Sequence, residues 1–302
     1  MRSVFSRAIV NAALADPKIL LLTGDHGYAL FDEFRHRLPE QFINAGIAEQ
    51  NMVGVAAGLA KAGYKPIVYG LSAFVPVRVL EQIKLDICYE GLPVTLVGDG
   101  AGMVYSSLGG SHQSTEDIAV LRAIPAIRIL SPCDAFEMDY AMDHALRFDG
   151  PTYLRMGKSD VGGVHTVRPT VPFGDLISVK AGTNSYIAII ATGSMVKTAA
   201  ELANYLGNAA VWSAPTIKPL NEAQILEIAR QVNDIVVLEE HAIAGGLGSL
   251  VAEIVGATAE ARVTRLGVQD RFSEKCGSYS YLLKEHGLDI AALTEKCRQL
   301  MV

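Results

Sequence analysis

Short apolar runs alternate with amphipathic stretches along the first half of this chain. Five runs predict buried strands, at residues 18–23, 65–70, 93–98, 126–130 and 152–156. Helical periodicity lies between them, at residues 53–60, 77–89 and 135–147. Because buried apolar strands that alternate with helices are typical of parallel sheets, this half predicts a sheet covered by helices on both faces.

The same alternation returns in the second half. It predicts strands at residues 186–193, 209–213 and 234–239, and helices at residues 195–206, 222–232 and 248–255. The intervening stretch is rich in glycine and proline and has little helical periodicity, which is typical of a linker. We therefore predict an α/β protein with two doubly wound domains, at residues 1–165 and 183–302, joined by a linker at residues 166–182.

Composition agrees with this organisation and excludes some classes of function. A chain of 302 residues can form two domains with separate cores. A net charge of -6 argues against binding to nucleic acid, and no run approaches the ~18 apolar residues of a membrane span. The four cysteines are scattered without metal-type spacing. Together with an N-terminus that lacks a signal-peptide pattern, they predict a cytoplasmic protein with reduced thiols.

The segment from Gly46 to Met52 carries the most informative chemistry. It places Glu49 at the start of a helix rich in small residues, Val53–Ala60, which predicts a buried helix. Burial favours the protonated form of a carboxyl group, which can donate a hydrogen bond. The residues alone also allow a simpler interpretation, in which Glu49 stabilises a helix N-terminus.

The segment Gly46–Met52 resembles the pyrimidine-domain signature of the transketolase family of thiamine diphosphate enzymes. The resemblance implies that Glu49 hydrogen-bonds the aminopyrimidine ring of the cofactor and so activates it. The order of elements resembles a thiamine diphosphate pyrimidine-binding domain followed by a transketolase C-terminal domain. Residues 239–248 resemble the signature of that second domain, where we expect Glu240 and His241 to have a structural role.

The resemblance also implies a partner. The family anchors the diphosphate and a divalent metal through Gly-Asp-Gly followed further along by asparagine. Gly98–Gly100 matches the first part, but residues 125–131 contain no asparagine. We interpret it as a turn at a strand end and expect no metal site in this chain. Thiamine diphosphate and Mg²⁺ would be held mainly by an N-terminal transketolase subunit, and the two subunits would form a heterotetramer.

Other positions match the family one by one. Asp25 resembles an acidic turn near the thiazolium ring, although aspartate is also common in turns. Either Phe74 or Tyr69 would stack on the pyrimidine, or either could be a core aromatic residue. His112 matches a histidine near the reacting carbons, where a neutral imidazole can relay a proton.

The substrate end departs from the family pattern. Arg2 matches an arginine that binds phosphate, and Lys158 stands where a second arginine is common. Both could also be surface charges. The loop at residues 101–108 lacks the expected histidine and aspartate, and offers Ser106 and Ser107. The resemblance implies transfer of a two-carbon ketol unit from a ketose (phosphate) donor to an aldose acceptor.

Three other functions remain open at this stage. The chain could be the beta subunit of a 2-oxo-acid dehydrogenase, or it could act as a 1-deoxyxylulose-5-phosphate synthase, which is normally one long chain. It could also be a non-enzymatic remnant of the fold, against which the combination of Glu49 and His112 argues.

Overall fold

The computed structural model describes residues 1–158 and 160–300, and contains twelve strands in this part of the chain. They are β1 (Ile19–Thr23), β2 (Phe42–Asn44), β3 (Lys65–Leu71), β4 (Thr95–Asp99), β5 (Arg128–Leu130), β6 (Thr152–Met156), β7 (Ile177–Lys180), β8 (Ile187–Ala191), β9 (Ala210–Ser213), β10 (Thr216–Lys218), β11 (Asp234–Ala242) and β12 (Arg262–Val268).

The described helices lie mainly between the strands. They are α1 (Arg2–Ala15), α2 (Asp32–Arg37), α3 (Glu49–Lys61), α4 (Leu80–Gln82), α5 (Asp117–Arg122), α6 (Ala135–Arg147), α7 (Met195–Tyr205), α8 (Glu222–Ala229), α9 (Leu247–Gly256), α10 (Tyr279–Glu285) and α11 (Ile290–Leu300). None of them combines the length and apolar character needed to cross a bilayer.

The strands form two sheets that are parallel except at one edge each. The first has the order β10-β5-β6-β4-β3-β1-β2, and only β10 is antiparallel to its neighbour. The second has the order β12-β11-β8-β9-β7, with β7 antiparallel to β9. The predicted α/β fold with two doubly wound domains is confirmed. The domain boundaries stay a prediction, and β7 lies inside the predicted linker.

Burial on both faces explains why the central strands are almost entirely apolar. All five residues of β1 are buried. Leu21 packs with Phe5 and Phe34 on one face of the sheet, whereas Leu20 and Leu22 join the core on the other face. Alternate residues of a strand point to opposite faces, so a strand covered by helices on both sides requires apolar residues throughout.

One predicted helix is more complex than its pattern indicated. Residues 77–89 form a 3₁₀ turn at Val77–Val79, the short α4 and a π-helical segment at Ile83–Cys88. Widened turns of this kind are often found at functional sites. The start of this segment follows β3 and lies beside the candidate site described below.

A buried ion pair lies where the two domains meet. Arg155 on β6 donates from Nε to the Asp117 carboxylate (2.8 Å) and from Nη2 to the carbonyl oxygen of Glu240 on β11 (2.9 Å). Both charged side chains of the pair are almost completely buried. Tyr153 also donates to Asp117 (2.8 Å). The pair therefore links the first sheet, α5 and the second sheet through groups that have few alternative partners.

Glu239, Glu240 and His241 extend this buried joint. Glu239 accepts hydrogen bonds from the first amides of α9, and burial raises its pKa to about 7. Glu240 accepts from the Met103 amide (2.6 Å), Ser194 and Tyr279. Burial lowers the pKa of His241 to about 4, so its ring is neutral, and Nε2 accepts from the Ala119 amide (3.3 Å). These contacts agree with the structural role expected for Glu240 and His241.

We predict that Arg155→Met destabilises the protein by about 3–5 kcal/mol, because Asp117 is left buried without its counter-charge. Urea denaturation measures the change. The double variant Asp117→Asn/Arg155→Met should recover part of the loss, since it removes the unpaired charge. Arg168→Met is the control, because Arg168 pairs with Asp139 and Asp143 in partly exposed contacts. Equal losses for Arg155→Met and Arg168→Met would contradict the assigned importance of the joint.

Candidate functional site

The carboxyl ends of the parallel strands of the first sheet gather most of the candidate residues at one edge. Each candidate lies in the segment that follows a strand: Asp25 after β1, Glu49 after β2, Phe74 after β3, His112 after β4 and Lys158 after β6. Ligands of open α/β sheets bind outside this edge. The topology thus brings together positions that are far apart in the sequence.

Glu49 is buried and only half satisfied. Its side chain is 3% exposed, and it is the first residue of α3. Oε2 accepts a hydrogen bond from Arg78 Nη1 (3.0 Å). Oε1 is buried and has no hydrogen-bond partner among the described residues. Because a buried polar atom without a partner is costly, Oε1 marks a position for a ligand group that can hydrogen-bond it.

Arg78 is a site residue that the sequence did not reveal. Its guanidinium carbon lies 4.0 Å from the centroid of the Phe74 ring, while Nη1 contacts Glu49. A guanidinium over an aromatic face gains from the negative charge density of the ring. The signal was the position of Arg78 shortly after β3, since that places it at the same edge as Glu49.

Phe74 and Tyr69, the two candidate stacking residues, have different surroundings. Tyr69 lies within β3, and its ring is enclosed by Phe5 and Phe31. Burial raises the pKa of its phenol, which donates to Asp99 (2.7 Å). Phe74 lies beyond the end of β3 and is half-buried. The rings of Phe74 and His112 meet edge to face, with centroids 5.4 Å apart. Of the two, we therefore retain Phe74 as the stacking candidate.

Asp25 belongs to a strained turn next to Glu49. Its φ of 63° lies in the left-handed region, which side chains other than those of asparagine and aspartate rarely adopt. Asn44 at the end of β2 donates to the Asp25 carboxylate (3.3 Å) and accepts from the amides of Asp25 and Gly46. Asn44 therefore holds the turn of Asp25 against the segment that leads to Glu49. Backbone strain that persists in this way is typical of functional sites.

The turn at residues 98–100 uses its aspartate internally. Asp99 ends β4, is buried, and accepts hydrogen bonds from Tyr69 (2.7 Å) and Tyr105 (3.2 Å). Arg2 lies 3.7 Å from the same carboxylate, and its side chain is 44% exposed. Asp99 thus orients Arg2 at the edge of the site, in agreement with our interpretation of this segment as a turn at a strand end.

Lys158 lies two residues after β6, the neighbour of β4. Its Nζ contacts Asp160 (2.7 Å) and lies 5.6 Å from the centroid of the Tyr279 ring. Asp99 and Met156 are opposite each other in the register of the two strands, so Arg2 and Lys158 occupy the same edge of the sheet. Ser106 is buried, whereas Ser107 is exposed and accessible to a substrate.

One cluster outside this edge offers three possible metal ligands. Donor atoms of Cys133, Glu137 and His165 lie within 4.8 Å of one another. His165 Nε2 is 2.8 Å from Glu137 Oε1, and the other oxygen of Glu137 accepts from the Cys133 amide. Burial, followed by the charge of Glu137, raises the pKa of the Cys133 thiol well above its usual value. A protonated thiol is a poor metal ligand, so we assign this cluster to packing.

Comparison with known families matches both halves of the chain. Residues 1–163 match the family described as "Transketolase, pyrimidine binding domain", and residues 178–293 match "Transketolase, C-terminal domain". These matches confirm the predicted family and the predicted order of its domains.

Several curated proteins are similar over nearly the whole chain. The 6-deoxy-6-sulfo-D-fructose transketolase subunit SqwH of a Clostridium species is 32% identical, over 95% of this chain and 90% of its own length. One of the apulose-4-phosphate transketolase subunits of Phocaeicola vulgatus is 33% identical, over 95% and 93%. A 1-deoxy-D-xylulose-5-phosphate synthase of Caldanaerobacter subterraneus is 36% identical over 98% of this chain, which spans only 48% of that protein.

A solved structure shares both the fold and the extent of this chain. It is described as "Split gene transketolase, inactive beta4 tetramer", and it superimposes with a TM-score of 0.88 at 32% sequence identity. The match covers 99% of this chain and 97% of that one.

We predict opposite behaviour for Tyr69→Ala and Phe74→Ala. Tyr69→Ala should cost about 3–5 kcal/mol of stability, because it opens a cavity in the core. Phe74→Ala should cost less, since its ring is only half-buried, but it should weaken the binding of an aromatic ligand at Glu49. Thermal unfolding and isothermal calorimetry with thiamine diphosphate, in the presence of the partner subunit, separate the two effects. Stronger loss of cofactor binding in Tyr69→Ala, with little loss of stability, would reverse our assignment.

Proposed function

The chain belongs to the transketolase family, and on that premise we propose that it is the C-terminal subunit of a thiamine diphosphate-dependent transketolase. The proposed reaction transfers a two-carbon ketol unit from a ketose or ketose phosphate to an aldose acceptor. The observation that carries the proposal is Glu49, a buried carboxyl group with one unpaired oxygen at the same sheet edge as Phe74 and His112.

The site fits the aminopyrimidine part of the cofactor. Oε1 of Glu49 needs a hydrogen-bond partner, and Phe74 offers an aromatic surface beside it. Asp25, held by Asn44, would lie near the thiazolium end. When bound, thiamine diphosphate supplies the electron sink that lets a carbon–carbon bond beside a carbonyl group break. The part of this chain is to hold the ring and to exchange a proton with it through Glu49.

A partner subunit would complete the site. Relatives that this chain covers almost entirely are described as transketolase subunits, which supports a divided enzyme. Asp99, in the segment that resembles a metal motif, is engaged by Tyr69, Tyr105 and Arg2. We therefore place the diphosphate and Mg²⁺ mainly on an N-terminal subunit, in a cytoplasmic heterotetramer with cofactor at the subunit interfaces.

His112 and the two basic residues would act on the substrate. The His112 ring contacts Phe74 and has Ser111 Oγ 3.0 Å from Nδ1, which leaves Nε2 as the nitrogen that could exchange a proton. Arg2 and Lys158 would bind an anionic group at the far end of the sugar. The names of two relatives include sugars with a sulfo or a phosphate group, which is consistent with such a role.

The test is co-purification with the polypeptide encoded next to it, followed by a screen of donors and acceptors. We expect ketol transfer from a ketose phosphate by the mixture. Turnover of a 2-oxo acid with an aldose phosphate would instead indicate a synthase, and a requirement for a lipoyl domain would indicate a dehydrogenase. If the purified complex has no activity in any arm, the proposal is wrong.

Glu49→Gln should reduce turnover by about 10²–10³-fold while it leaves subunit assembly intact, because the amide keeps the size but cannot exchange the proton. Steady-state kinetics and gel filtration measure the two properties, and circular dichroism of the bound cofactor reports its tautomer. Glu81→Gln, at an exposed position near the same site, is the control. Normal turnover in Glu49→Gln would remove this residue from the mechanism.

Arg2→Ala and Lys158→Ala should raise the KM of an anionic acceptor more than they lower kcat. Contacts to a remote anion exist in both the ground state and the transition state, so their loss is mainly a loss of uniform binding. Each contact is worth ~1.5–3 kcal/mol, or about tenfold to more than a hundredfold in KM. Arg7→Ala, on the exposed side of α1, is the matched control. Equal KM values for charged and uncharged acceptors in all variants would show that neither residue recognises the anion.

A further inference from the structure

Arg78 makes the two contacts that the proposed function assigns to the cofactor ring. Its guanidinium covers the face of Phe74, with 4.0 Å between Cζ and the ring centroid, and donates to Glu49 at 3.0 Å. An aminopyrimidine held at this site would also stack on an aromatic ring and hydrogen-bond Glu49. A planar group with N–H donors therefore lies at the position where we expect the planar ring.

We propose that Arg78 is a placeholder, which satisfies Glu49 and Phe74 in the free subunit and is displaced when the cofactor pyrimidine binds. This inference rests on the proposed function, and it adds a conformational step that the family resemblance does not supply. It also explains why a carboxyl group awaiting a ligand is half paired: the paired oxygen belongs to the resting contact, and Oε1 remains for the ligand.

The contact has the properties of one that can be released. Arg78 is 46% exposed, and Glu49 is the only polar partner of its guanidinium among the residues that the structure describes. It lies in the 3₁₀ turn at Val77–Val79 rather than in a regular helix. A half-exposed ion pair is worth little, because water competes for the guanidinium. The side chain can thus move into solvent at a small cost, whereas Glu49 cannot leave its buried position.

Displacement would also change the state of Glu49. A guanidinium at hydrogen-bond distance favours the ionised carboxylate, which can only accept hydrogen bonds. A ring nitrogen that lacks a hydrogen requires the protonated, donating form. Release of Arg78 from a buried carboxyl group removes the counter-charge and favours proton uptake. Arg78 therefore keeps Glu49 ionised until the ring arrives, which couples binding of the ring to the form of Glu49 that activates it.

Calorimetric titration of thiamine diphosphate with Mg²⁺ into the assembled complex tests the placeholder. Arg78→Ala should tighten cofactor binding by about three- to tenfold, because the competing contact no longer reduces the binding-competent fraction. Arg78→Lys keeps the charge but loses the planar fork, and should fall between wild type and Arg78→Ala. Arg128→Ala should leave the affinity unchanged, because Arg128 packs over Phe148 and Phe173 at the start of β5, at the opposite edge of the sheet.

A second readout does not depend on turnover. In thermal unfolding, Arg78→Ala should lower the midpoint of the free subunit, since Glu49 loses its counter-charge. The increase in midpoint caused by cofactor should be larger in the variant complex than in the wild-type complex. Weaker or unchanged cofactor affinity in Arg78→Ala would overturn the placeholder and make Arg78 a permanent part of the site or a bystander. Failure of the wild-type complex to bind thiamine diphosphate would overturn both this inference and the proposed function.

Discussion

Parallel strands end at the same edge of their sheet, and this constraint determines where the chemistry of the molecule can lie. The segments after β1, β2, β3, β4 and β6 start from one edge, although their residues are spread from Asp25 to Lys158. The strands must be apolar because helices cover both faces. Polar side chains with catalytic potential are therefore concentrated in the segments that follow the strands. Glu49, Phe74 and His112 lie at this edge for that reason.

The second domain stabilises this edge from behind. Arg155, at the centre of the first sheet, bonds both Asp117 and the backbone of Glu240. The Glu240 carboxylate in turn holds the Met103 amide, at the start of the loop that leads to His112. Gly102 is required there, because a Cβ atom at this position would overlap the Glu240 carboxylate. A charged network buried this deeply fixes the domain joint and, through the loop, the position of His112.

Sequence patterns predicted the regular elements and the central residue of the site. Long apolar strands such as β1 and β3 were evident from the sequence, whereas β2, β7 and β10 have only three or four residues and too little pattern to be recognised. Glu49 was found through its neighbours in the sequence. Its contact with Arg78 was missed because it depends on which strands are adjacent. The choice between Tyr69 and Phe74 could have been made earlier: Tyr69 shares the two-residue alternation of β3 with Ile67, which directs it into the core.

The central claim is that this chain supplies the pyrimidine half of a shared cofactor site. Isothermal titration of thiamine diphosphate with Mg²⁺ into this chain alone, into the N-terminal subunit alone and into their mixture tests it most directly. We predict tight, Mg²⁺-dependent binding only in the mixture, because Glu49 and Phe74 hold the ring and the partner holds the diphosphate. Equally tight, Mg²⁺-dependent binding by this chain alone would contradict the account.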